Sequence, residues 1–400
     1  MKIGIVCYPT FGGSGVLATE LGMALSLKGH EIHFISYQQP VRLHFHPNIC
    51  YHEVSVPKYP LFDYPPYESA LSSTLVNVVN NNKLDLLHIH YAIPHASAAY
   101  FAMQILKKTN ADIPYITTLH GTDITLVGKD ATYEPVVTFS INESSAITAV
   151  SDNLREETYR SFEIEKDIVV IPNFVDTERF RQSDKEHFKK MVAPNGERIL
   201  VHASNFRKVK RVDDVIRVFE RVREKIPAKL LMVGDGPERQ HAEELARTLR
   251  IFKDIRFLGK QDQMDEILSI SDLFLLTSQY ESFGLSALEA MACGVPVIST
   301  NAGGLPEINV HDKTGALCEV GDIMSMSEHA IHILGDDATL ASYKNAAALH
   351  ARGFEKGRIV PIYEQLYEDV VKEYNASHPD RKPLNRKTDD EEAEVTEEEA

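Results

Sequence analysis

The chain has 400 residues, too many for one ordinary hydrophobic core and suited to two domains. Its formal net charge of -16 excludes nucleic acid as a partner, because phosphate backbones demand clustered Lys and Arg. No run of about 18 apolar residues is present, which excludes a membrane-spanning helix, and four scattered cysteines without a CxxC pair (Cys7, Cys50, Cys293, Cys318) fit reduced thiols in a cytoplasm.

In chain order, short β-branched runs alternate with helical patterns. KIGIVCY (2–8) leads through GGSG into VLATELGMALSLKG (16–29), which has helical spacing and a terminal glycine; the strand EIHFIS (31–36) follows. LDLLHIHY (84–91), a helix from about 95 to 108, YITTLH (115–120) and SAITAV (145–150) continue the series. The pattern then restarts with ILVHAS (199–204) and the helix RVDDVIRVFERVREK, followed by KLLMVGDG (229–236), IRFLG (255–259), LFLLTS (273–278) and VPVIST (295–300). The pattern predicts an α/β protein of two doubly wound, Rossmann-like domains, each a parallel sheet covered on both faces. The expected divisions are 1–168, 169–358, a C-terminal helix over 359–376 that packs back on the first domain, and a disordered acidic tail over 377–400. Strand C-terminal ends of two such sheets meet at a cleft, where ligands of open α/β sheets bind.

Four segments carry candidate chemistry. Gly12, Gly13, Ser14 and Gly15 open the first helix, where glycine lets the backbone approach a ligand and free N–H groups favour an anion; a bland tight turn is the alternative. The pattern is not GxGxxG, and EIHFIS ends in Ser36-Tyr37 rather than in the acid that binds an NAD ribose, which argues against a dehydrogenase. In SNFRKVKR (204–211), Arg207, Lys208, Lys210 and Arg211 crowd a strand end and suit a diphosphate, unless the loop is merely solvated. In ESFGLSALE (281–289), a helix starting near Gly284 leaves the N–H groups of Phe283, Gly284 and Leu285 as orphan donors for a distal phosphate. Glu281 would accept from sugar hydroxyls and Glu289 would chelate ribose hydroxyls; a dipole partner and a structural ion pair are the alternatives. In TLHGTD (118–123), His120 and Asp123 face the same cleft from the other side. HIH (88–90) and HFH (44–46) pair histidines on extended segments without a third ligand, so no metal site is expected.

With these residues the sequence resembles the family 4 retaining glycosyltransferases of GT-B fold. ESFGLSALE matches the E-x7-E motif, and FGGSG, HGTD, VIPNFVD, VGDGPE and NAGGLPE follow in order, over about residues 1–375. Where the family often has an arginine ahead of the basic loop stands Asn205, while Lys210 matches the family lysine; Arg207 is positioned to supply the missing charge. MKIGIVCYPTFGGSGVLATELG and SNFRKVKRVDDVI resemble an enzyme of the bacillithiol pathway. That resemblance implies UDP-N-acetylglucosamine as donor, L-malate as acceptor and retention at the anomeric carbon. It implies that the leaving diphosphate takes the acceptor proton, with Arg207, Lys210 and the helix N-terminus stabilising UDP in place of a metal and His120 orienting the donor sugar. The first domain would then hold the acceptor, with Ser14, Tyr91, Thr118 and Arg155 as candidate contacts; a surface partnership of Arg155 with Glu156 or Glu157 is the alternative. The competing readings are a UDP-sugar glycosyltransferase with another small or glycan acceptor and a non-catalytic nucleotide-sugar-binding module on the same fold. The expected location is the cytoplasm, and a homo-oligomer is compatible with the sequence.

Overall fold

The computed structural model describes residues 1–10, 12–56, 63–126, 128, 130–183 and 185–379; the acidic tail from 380 onward lies outside the described residues. The first sheet holds seven parallel strands: β1 (Lys2–Val6), β2 (Glu31–Ser36), β3 (Ile49–Glu53), β4 (Leu86–His90), β5 (Tyr115–Leu119), β6 (Ala146–Ala149) and β7 (Ile168–Val170). Their spatial order is β3-β2-β1-β4-β5-β6-β7. The second holds six: β8 (Arg198–Ala203), β9 (Ala228–Val233), β10 (Ile255–Gly259), β11 (Leu273–Leu276), β12 (Val297–Thr300) and β13 (Gly315–Cys318), in the order β10-β9-β8-β11-β12-β13. Both orders reverse beside their first strand, between β1 and β4 and between β8 and β11, and ligands of such sheets bind at that reversal.

The central strands are buried on both faces, so they read as continuous apolar runs. Strand β4 is fully buried although it contains His88 and His90. Their spacing of two sends both rings to one face of the sheet. The helix Val212–Arg223 carries Asp213 and Asp214 in its first turn and Arg221 and Arg223 in its last, each sign at the helix end that favours it.

The chain crosses between the sheets twice. Near the second crossing Val175 N–H donates to Phe354 O at 2.9 Å and Lys356 N–H donates to Val175 O at 3.0 Å, so the two connecting segments run side by side. The expected division after residue 168 falls inside β7, which pairs with β6 and therefore belongs to the first sheet. The C-terminal helix spans Lys356–Ser377 and returns to the first domain. Its Ile359, Val360, Tyr363, Tyr367 and Val370 share one apolar cluster with Ile3, Leu17, Phe34 and Ile116. A further cluster joins the domains directly, packing Leu119, Val150 and Leu154 with Phe283, Leu305 and Ile308.

Candidate active site

The turns after β1, β4, β5, β8 and β11 enclose a cavity of about 960 Å³ between the domains. From the first domain it is lined by Gly13, Ser14, Tyr91 and His120, and from the second by Asn205, Arg207, Lys210, Glu281, Phe283, Gly284 and Leu285. Most of the residues singled out in the sequence therefore line one space.

On the second-domain side, the helix Leu285–Ala292 has Gly284 as its N-cap at φ +99. A Cβ there would lie 2.6 Å from Leu305 Cδ2, so this turn requires glycine for both conformation and space. The N–H groups of Phe283 and Gly284 donate to no backbone carbonyl of the described residues, which leaves them for an anion. Glu281 forms an ion pair with Lys210 and accepts from Ser278 Oγ at 2.8 Å. Thr277 Oγ1 donates to the carbonyls of Lys210 and Arg211, both at 3.0 Å, and Gln279 N–H donates to Val209 O at 2.7 Å. These bonds fasten the basic loop to the end of β11. Arg207 is exposed on the cavity rim and makes no ion pair with the described residues.

On the first-domain side, Asp123 is buried and accepts from the N–H groups of Ala92 (3.0 Å), Gly121 (2.9 Å) and His120 (3.4 Å). Burial raises its pKa, against the lowering effect of those backbone bonds. Its oxygens thus hold the HGTD turn, and the residue lines the cavity beside His120. Ser14 Oγ and Tyr91 OH are hydrogen-bonded at 2.7 Å, and Tyr91 sits at φ +85. His120 Nε2 is bonded to His90 Nδ1 at 2.8 Å.

Cross-domain contacts close the cavity. Ser151 Oγ donates to Ser282 O at 2.6 Å, and Glu307 accepts from Asp152 N–H and Asn153 N–H at 2.9 and 2.8 Å. Glu307, from NAGGLPE, so caps the first-domain helix Asp152–Ser161 with a negative charge at its positive end. A Cβ on Gly121 (φ +110) would lie 1.7 Å from Ser282 Oγ, so the HGTD turn needs glycine for the second domain to approach.

Three expected contacts are not on the cavity wall. Thr118 is buried, and its hydroxyl is spent on His88 Nε2 and Thr148 Oγ1, both at 2.6 Å; as a strand residue it points into the sheet's covering layer. Arg155 pairs with Asp152 at 2.8 Å and Glu156 at 3.3 Å, because one turn into its helix the nearest acids are local. Glu289 is turned away from the cavity against Arg42, 3.2 Å away, which also pairs with Glu20 at 2.8 Å. Burial pushes Glu289 up to about 7, and Arg42 opposes that rise. The structural ion pair is the arrangement found, since a carboxylate so buried must take a cation.

Residues that sequence reasoning passed over also line the cavity: Tyr8, Tyr37, Asn173 and Tyr280. Asn173 is buried and its Oδ1 has no partner among the described residues. The PNF turn in VIPNFVD was the available signal. Among the described residues no group of three or more His, Cys, Asp or Glu is arranged to hold a metal, and no helix is long and apolar enough to cross a membrane.

Residues 11–179 match the profile described as Glycosyltransferase Family 4, and residues 183–350 match Glycosyl transferases group 1. The chain is 46% identical over 376 residues to N-acetyl-alpha-D-glucosaminyl L-malate synthase of Bacillus anthracis, an alignment covering 93% of this chain and 98% of the relative. It is 26% identical over 312 residues to 2-deoxystreptamine N-acetyl-D-glucosaminyltransferase of Niallia circulans, covering 72% and 76%. Among solved structures, sucrose-phosphate synthase from Thermosynechococcus elongatus superimposes with a TM-score of 0.79 at 19% identity, covering 92% of this chain and 98% of that one. Anabaena HepE in complex with UDP-glucose gives 0.76 at 18% identity, covering 93% and 100%. These last two establish the shared fold. With two Rossmann-like sheets closing on the E-x7-E helix and a relative at 46% identity over nearly the full length, the chain belongs to the family 4 glycosyltransferases of GT-B fold.

Proposed function

We propose that the chain transfers N-acetylglucosamine from UDP-N-acetylglucosamine to the hydroxyl of L-malate with retention at the anomeric carbon, the first step of bacillithiol biosynthesis. The observation that carries this reading is the shared cavity, where Lys210, Glu281 and the N-terminus of Leu285–Ala292 face His120, Ser14 and Tyr91. The identity to the Bacillus anthracis malate synthase supports the choice of acceptor.

In this reading the second domain holds the nucleotide sugar. Lys210, Arg207 and the N–H groups of Phe283, Gly284 and Leu285 receive the departing diphosphate, a charge role that requires no metal. Glu281 accepts from hydroxyls of the transferred sugar. The malate oxygen bonds to the anomeric carbon as the bond from that carbon to the diphosphate oxygen breaks, and the hydroxyl proton passes to the departing phosphate oxygen. Catalysis is then positioning plus charge stabilisation. The N-terminus of the helix Gly13–Leu27, Ser14 and Tyr91 are the first-domain groups placed to meet the acceptor, with Arg207 opposite.

UDP release measured against a panel of small acids and sugars separates the parts of the proposal. Turnover supported by L-malate and not by neutral sugars is expected. Turnover with another acceptor alone would remove malate and leave the transferase; UDP-N-acetylglucosamine binding without turnover on any acceptor would favour the binding module.

A further inference from the structure

The cavity histidine does not stand alone. His120 is the outermost of three imidazoles, with His90 behind it at a ring separation of 5.0 Å and His88 behind His90 at 4.3 Å. His88 is fixed at both nitrogens, Nδ1 to Tyr367 OH at 2.7 Å and Nε2 to Thr118 Oγ1 at 2.6 Å. Tyr367 belongs to the C-terminal helix, so that helix braces the stack from behind. His90 is wholly buried, and it bonds His120 Nε2 through Nδ1 at 2.8 Å. Its other nitrogen, Nε2, is buried and has no partner among the described residues.

That orphan decides where the protons lie. A neutral imidazole carries one N–H and one bare nitrogen. Both rings are held neutral, since burial and neighbouring imidazoles push the pKa of each well down. Between His90 and His120 there is room for a single proton. If His120 Nε2 donated it, the proton of His90 would sit on Nε2, an N–H sealed from water with nothing to accept it. If His90 Nδ1 donates, the group left bare is an acceptor. Orphaned buried N–H groups are rarer and less tolerated than under-used acceptors. The second arrangement therefore holds.

We infer that His90 is a positioning residue that fixes the tautomer of His120: His90 Nδ1–H donates to His120 Nε2, so the proton of His120 is on Nδ1, the nitrogen left for the cavity. His120 is then a fixed hydrogen-bond donor toward the substrates. Its lone pair is already engaged by His90, so it cannot take the acceptor's proton. The donor sugar hydroxyl or a developing charge meets an N–H there, and the proton of the acceptor hydroxyl must leave by another route. This agrees with proton transfer to the departing phosphate; the tautomer itself rests only on the geometry, while its kinetic consequence rests on the proposed transfer.

The test has a spectroscopic arm and a kinetic arm on the full chain. In the ¹⁵N-labelled protein, with the His120 signals identified by their loss in His120→Asn, the account expects Nδ1 protonated and Nε2 bare, with and without UDP. A proton on His120 Nε2 overturns it, whatever the activity. In the kinetic arm, Asn at position 90 can present its amide N–H where Nδ1–H stood, whereas Leu cannot. His90→Asn is expected to keep kcat near the wild-type value, and His90→Leu to lower kcat about tenfold or more with a smaller change in KM, the loss of one oriented hydrogen bond. Equal damage from Asn and Leu, in folded proteins with matching thermal midpoints, overturns the positioning role. Failure of the wild type to transfer any sugar would strike the proposed reaction and leave the ¹⁵N result to stand alone.

Discussion

Replacing Lys210 by alanine removes a cavity-lining cation that is paired with the first glutamate of the E-x7-E motif. The Lys210 and Glu281 side chains are only 18% and 15% exposed, so their charges are shielded little by solvent. The proposed partner of Lys210 is the departing diphosphate, and a charge-assisted bond of that kind contributes about 1.5–3 kcal/mol. At about 1.4 kcal/mol per factor of ten, Lys210→Ala should lower kcat/KM by about 10- to 150-fold. Arg207 is exposed, so Arg207→Ala should fall at the low end of that range. Calorimetric titration of UDP and steady-state UDP release read the two effects separately. A cycle with Glu281→Gln adds a check, because without Lys210 the Glu281 carboxylate retains Ser278 as its hydrogen-bond partner among the described residues. The double variant should lose less than the sum of the singles, by about 0.5–3 kcal/mol. UDP affinity unchanged in both Lys210→Ala and Arg207→Ala would refute the placement of the diphosphate.

Other outcomes follow from particular contacts. Glu289 has its pKa raised to about 7 in the folded protein, above its unfolded value, so the folded chain binds the extra proton and stability falls as pH rises from about 4.5 to 7. Chemical denaturation across that window should show the decline in the wild type and a flatter profile in Glu289→Gln; parallel profiles would contradict it. Glu307→Ala removes two cross-domain bonds at one helix N-terminus, with an expected loss of about 1 kcal/mol and a larger radius of gyration in small-angle scattering. Arg155→Ala should leave the malate KM unchanged and shift stability by no more than about 1 kcal/mol, as for a surface ion pair. A malate KM raised severalfold would return Arg155 to the acceptor site.

Most strands were legible because buried parallel strands read as β-branched runs ending at turns, and IRFLG became β10 residue for residue, whereas the partly exposed edge strand β3 and the short strand β13 were not expected. The helix start at Gly284 was legible for the same local reason, a glycine turn before an apolar helical run. What escaped were pairings set by the meeting of the domains. Arg42 lies 247 positions from Glu289, and nothing local marks it as the counter-ion. Glu307 reads as an ordinary acid in a short helix until Asp152 and Asn153 are brought against it. For Arg155 the sequence leaves both the cleft and a local acid within reach, and the structure pairs it with Asp152 and Glu156; the direction of Thr118 from the sheet depends on which face the C-terminal helix covers. The strand β7 crossed the expected boundary, since only its pairing with β6 shows which sheet it joins.

The central claim is retaining transfer to malate within the cavity between the domains. Proton NMR of the product formed from UDP-N-acetylglucosamine and L-malate, followed together with UDP, tests it most directly. The account predicts one UDP released per glycoside formed, the sugar joined through the malate hydroxyl with the α configuration of the donor kept. A β-linked product, or UDP release that does not depend on malate, would contradict it.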